Sequence, residues 1–105
     1  MKTYNIVYTD IAYNNIFEIE RYISNQLYNP QAAKSLLAEL NNAVENIAQF
    51  PYSGTLSRNQ NLALQSVRFK VVENYIIFYY PNDERQEIIV LYVKYGGSDL
   101  TKLKK

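Results

Sequence analysis

Arg68 and Lys70 sit two residues apart in "SVRFKVV", so on an extended strand their side chains leave from the same face, about 7 Å apart. Downstream, "LYVKYGGSD" brings Tyr92, Lys94, Tyr95 and Asp99 close together, and "NYIIFYYP" carries Tyr79 and Tyr80. Cations meet phosphate oxygens and tyrosine rings accept stacked bases, so a strand pair bearing these residues suits a phosphate-bearing or nucleic-acid partner.

What is missing narrows the chemistry further. The 105 residues include no histidine, which removes His-based acid/base pairs, triads and imidazole metal sites. They include no cysteine, which removes disulfides, thiolate nucleophiles and zinc–thiolate centres, and no cofactor or metal is expected. No run approaches the roughly 20 apolar residues of a membrane helix, and "MKTYNIVYTD" has no signal-peptide core, so a cytoplasmic protein with no membrane partner is expected. The net charge of +1 is unevenly spread. Residues 1–57 hold three basic and five acidic side chains, and residues 58–105 hold eight basic and five acidic. A basic second half permits an anionic partner without requiring one.

The elements that must position these residues follow from periodicity. "TYNIVYT" alternates and is β-branched and aromatic, which predicts a first strand over 3–9. Thr9 then caps a helix with the apolar stripe Ala12, Ile16, Ile19, Ile23 and Leu27, ending near Tyr28. Asn29 and Pro30 open a second helix with the stripe Ala33, Leu37, Leu40, Val44 and Ile47. "PYSGTLSRNQN" ends the helical half, and strand-like runs follow at 64–72, 74–81 and 87–95 with short links. The expectation is one α+β domain over 1–105: an N-terminal strand, a two-helix hairpin, then a three-stranded meander completing an antiparallel sheet.

Both faces of "NYIIFYYP" are apolar or aromatic, whereas a sheet with one wet face should alternate. In the last strand Ile89, Leu91, Val93 and Tyr95 form an unbroken apolar set that should meet the helices. Tyr92 and Lys94 should then look outward and be joined there by Arg68, Lys70 and one tyrosine row. On this reading the second face is a basic, aromatic contact surface.

The order of "YISNQLYNPQAA", "IAQFPYSG", "VRFKVVENYIIFYY" and "IIVLYVKYGGSDL" resembles the RelE/ParE superfamily of small toxins from type II toxin–antitoxin modules, over nearly the full chain. The resemblance implies a helix hairpin packed on an antiparallel sheet, and a cognate antitoxin that wraps and neutralises the toxin. RelE-like members cleave mRNA in the ribosomal A site, and ParE-like members poison DNA gyrase. The shared fold does not choose between them.

Carried over by position, the two basic residues of the RelE-like second strand match Arg68 and Lys70. The arginine expected after the tyrosine of the third strand is Ile76, and the arginines of the closing turn are Gly97 and Ser98, with Asp99 retained. The C-terminal catalytic tyrosine has no counterpart in "LTKLKK". A nuclease built here would use Arg68 and Lys70 to balance phosphorane charge, and Lys94 with Tyr95, or Tyr79 with Tyr80, to move protons. Tyr79, Tyr80, Tyr92 and Asp99 are the binding candidates. The missing positions tilt the expectation toward ParE-like gyrase inhibition. The alternatives are a RelE-like endonuclease and a non-toxic, binding-only member that holds an antitoxin or homodimerises. Tyr13, Phe17 and Tyr28 lie off the main helical stripe, so an antitoxin is expected to bind across the first helix and the sheet.

Overall fold

The computed structural model describes residues 3–57 and 66–97. Strand β1 (Asn5–Tyr8) leads into helix α1 (Asp10–Arg21), a π-helical turn (Tyr22–Gln26) and helix α2 (Pro30–Gln49). Strands β2 (Thr55–Leu56), β3 (Arg68–Val72), β4 (Tyr75–Asn82) and β5 (Glu87–Tyr95) follow. The sheet order is β1-β5-β4-β3-β2. The β3–β4–β5 meander is antiparallel, as its short links require, while β1 joins the edge of β5 in parallel. A parallel partner needs a long crossover, and the helix hairpin with the strands that follow supplies it. The two-residue β2 has no counterpart in the sequence reading.

Both helix starts are those the sequence marks. The Thr9 hydroxyl accepts from Ala12 N–H at 3.0 Å, and Asn29 Oδ1 accepts from Ala32 N–H at 3.1 Å with Pro30 at the first helical position. The end of the first helix differs. Leu27 N–H reaches back five residues to Tyr22 O at 3.2 Å, so this turn holds one residue more than an α-turn. The extra residue swings Leu27 off the stripe into solvent, while Ile23, four residues earlier, stays buried. Tyr28 then takes a left-handed conformation (φ 51°), and Asn29 N–H reaches back six residues to Ile23 O, one residue wider than the 6→1 bond of a Schellman stop.

The main core lies between the hairpin and one face of the sheet. Ala12, Ile23, Ala33, Leu36, Leu40, Val44 and Ile47 meet Val72, Ile77, Tyr79, Ile88, Val90 and Val93. The inward set of β5 is therefore not the one its alternation suggests. Phe78 faces Tyr92 but Tyr79 faces Val90, so Leu91 is an extra residue and the phase of β5 changes there. Before it Ile88 and Val90 point inward with Ile89 on the far face; beyond it Val93 is inward and Tyr92 and Lys94 turn outward. The shift is fastened from the helix side. Thr9 Oγ1 donates to Leu91 O at 2.6 Å, Thr9 N–H donates to Val90 O at 3.1 Å, and Asn15 Oδ1 accepts from Val93 N–H at 3.0 Å.

The far face of β4 is not an open contact surface. Ile76 and Phe69 are only 4% and 5% exposed and form a second, smaller core with Val71 and Phe78. Phe78 also stacks on Tyr92 with centroids 4.6 Å apart. "NYIIFYYP" is apolar on both faces because each face packs.

Candidate polar site at the sheet end

Where β3 begins and β4 ends, loop 50–54 crosses the sheet edge and is held by side chains from β3, β4 and the turn that follows β4. Tyr79 is fully buried, and its hydroxyl accepts from Gly54 N–H at 2.9 Å and donates to Pro51 O at 3.0 Å. Burial pushes that phenol's pKa up, and the Gly54 N–H and the Arg68 charge partly oppose the rise. Gly54 must be glycine here because a Cβ would lie 2.5 Å from the Tyr79 hydroxyl and 2.9 Å from Phe69 O.

Arg68 donates to Gly54 O at 2.8 Å and to Tyr52 O at 3.4 Å, with its guanidinium over the Tyr52 ring at 5.0 Å. Tyr52 in turn donates to Asp83 Oδ2, and Tyr4 donates to Asp83 Oδ1 at 2.8 Å. The Tyr52 hydroxyl, then the Tyr4 hydroxyl, hold the Asp83 carboxyl below the usual carboxylate range, and both phenols rise in return. Lys70 donates to Asn46 Oδ1 of α2 at 3.1 Å and to Ser53 Oγ at 3.2 Å. The two cations thus brace the loop against α2 and the sheet.

This arrangement corrects the site drawn from the sequence. Arg68 pairs with Tyr79 and Lys70 with Ile77, so both cations are on the helix side. Tyr92 pairs with Phe78 and Lys94 with Ile76, on the opposite face. The strand phases, shifted at Leu91, place the two halves of the expected surface back to back. Tyr95 is on the helix side but packs on Tyr75 at 5.4 Å, four residues along β4 from Tyr79, about 13 Å away. Tyr79 is a core residue with both hydrogen-bonding roles of its hydroxyl in use, and so is not placed to bind a ligand. Tyr80 pairs with Ile89 and is half-buried on the far face. Asp99 lies outside the described residues. Tyr4, Asn46, Tyr52, Ser53 and Asp83 come from segments distant in sequence from Arg68, and only "PYSG" marks in sequence the loop that carries Tyr52 and Ser53.

Two apolar grooves flank α1. One, of about 380 Å³, lies between the helices and is lined by Tyr8, Tyr13, Phe17, Leu37 and Ile77. Tyr13, Phe17 and Tyr28 are 69%, 52% and 87% exposed, so they do not tuck into the hairpin's flanks. Among the described residues no helix is long and apolar enough to cross a membrane.

The helix hairpin on one face of a five-stranded sheet is a fold found in solved toxin–antitoxin structures. The structure is similar to a chromosomal ParDE toxin–antitoxin system from P. aeruginosa, with a TM-score of 0.71, 16% identity, and coverage of 89% of this chain and 96% of that one. It is also similar to the toxin–antitoxin complex RelBE2 from Mycobacterium tuberculosis, with a TM-score of 0.61, 17% identity, and coverage of 90% and 99%. The family model described as "ParE toxin of type II toxin-antitoxin system, parDE" matches residues 6–100, and the chain belongs to that family. No curated protein matches the chain significantly.

Proposed function

We propose that the protein arrests growth by acting on replication in the ParE-like manner, without RNA cleavage, and that a cognate antitoxin neutralises it. The observation that carries the reading is the state of Arg68 and Lys70. Arg68 Nη1 is drawn onto Gly54 O and Tyr52 O, Lys70 Nζ onto Asn46 and Ser53, and Tyr79 beside them is buried, so both cations are turned onto the protein's own loop and α2. Neutralising a phosphorane requires donors aimed where charge develops, and proton transfer requires groups within hydrogen-bond reach of the reacting oxygens. Ile76, at the position of an expected arginine, is packed on the far face. The match to the ParE toxin model points the same way. An antitoxin helix fits the groove beside Tyr13 and Phe17, where aromatic surface stands exposed.

The test is induced expression of the chain alone, scored for growth, plasmid supercoiling and mRNA integrity. Growth arrest with altered supercoiling and intact mRNA is expected, relieved by co-expressing the partner. Cleaved mRNA that becomes intact with Arg68→Ala would replace this reading with the nuclease one, and unimpaired growth would favour a binding-only protein.

A further inference from the structure

The second groove, of about 1010 Å³, is the larger one and lies on the other side of α1. Its walls include Tyr22, Ile23, Leu27, Leu36, Tyr75 and Tyr95. Tyr22, Leu27 and Tyr95 are all exposed. Its rim is acidic, with Glu18 on α1 and Glu73 in the β3–β4 turn. Glu39 of α2 stands against Glu73, close enough that sharing a hydrogen bond with it raises the Glu39 pKa. Among the described residues none of the three carboxylates has a basic partner: the ion pair found there joins Arg85 and Glu87. Apolar walls under an uncompensated acidic rim suit a segment with apolar side chains flanked by cations.

The sequence supplies such a segment beside the groove. Tyr95 is part of the wall, Gly96 N–H is fixed to Asn74 O of the rim at 2.8 Å, and Gly97 turns through a left-handed conformation (φ 73°) that suits glycine. Residues 98–105 follow, "SDLTKLKK", with Leu100 and Leu103 three apart and Lys102, Lys104 and Lys105 among them. Extended, they reach at most about 28 Å. We propose that this stretch docks in the groove of its own chain, Leu100 and Leu103 against the aromatic walls and the lysines toward Glu18, Glu39 and Glu73. Exposed ion pairs contribute little each, so the leucines carry the affinity and the charges the orientation. A short tether gives a high local concentration, so weak docking suffices. The proposal goes beyond the toxin reading and does not depend on the target.

Because the sequence has no cysteine, Lys105→Cys gives the full-length chain one attachment point for a nitroxide. Amide NMR signals over residues 18–27 and 73–75 should be broadened several-fold more than those near Tyr13, Phe17 and Leu37. The difference should collapse in Glu18→Lys/Glu73→Lys and, with the acidic rim intact, in Leu100→Asp/Leu103→Asp. The proposal is overturned by broadening confined to 94–97, by broadening centred on Tyr13 and Phe17, or by broadening that appears only when nitroxide and isotope are on different copies of the chain.

Discussion

Tyr79→Phe separates the two roles available to this tyrosine. The ring stays and the hydroxyl goes, so the apolar contacts of Tyr79 in the main core are nearly unchanged. Gly54 N–H loses its acceptor and Pro51 O loses its donor. The Gly54 pairing is buried, and a buried donor left unsatisfied costs about 1–3 kcal/mol. The Pro51 carbonyl is only partly buried, and water can replace its donor there at little cost. The expected loss is therefore about 2 kcal/mol, which for a domain near 100 residues lowers Tm by roughly 8–16 °C. Urea unfolding followed by circular dichroism should show a lower midpoint with an unchanged slope, because the surface exposed on unfolding is the same. Hydrogen exchange should show the extra opening concentrated in residues 51–56. A loss below about 0.5 kcal/mol, the range of ordinary surface substitutions, would refute the assignment of this hydroxyl as the loop's anchor.

Other perturbations probe the remaining contacts. Thr9→Val removes both the helix cap and the bond to Leu91 O, and is expected to cost about 2 kcal/mol in urea unfolding. The Asp83 carboxyl is depressed in the fold, so its contribution is present above the unfolded value of about 3.9 and is lost as pH falls through the lower folded value. A pH series of Tm should accordingly show Asp83→Asn less stable than the parent near neutrality, with the gap closing in acid below that point. Glu39 is raised, so its contribution has the opposite sign, present below the unfolded value of about 4.3 and lost as pH rises through the folded one. Glu39→Gln should therefore match or exceed the parent's Tm at neutral pH, with the advantage gone in acid. Gly54→Ala should destabilise even though alanine is small, since its Cβ would meet the Tyr79 hydroxyl and Phe69 O; an unchanged Tm would contradict the close packing there.

The sequence alone determined what local physics decides. Apolar spacing of three and four residues set both helices, Thr9 and Asn29 with Pro30 set their starts, and alternation with short links set an antiparallel meander. Absent histidine and cysteine excluded whole classes of chemistry before any fold was known. The ordered motifs were enough to reach the toxin superfamily. Tertiary structure decided which way the side chains face. One extra residue at Leu91 reverses the alternation of β5, and it is held by Thr9 and Asn15 across 82 and 78 residues of sequence, a distance no local pattern reads. One five-residue turn sends Leu27 outward, a local change of winding that apolar spacing alone does not mark. Arg68 and Lys70 share a strand face, as their spacing requires, but which face that is depends on where the hairpin packs. Their acceptors come from loop 50–54 and α2, brought close only by folding, so side chains that read as free cations in sequence are braces in the structure.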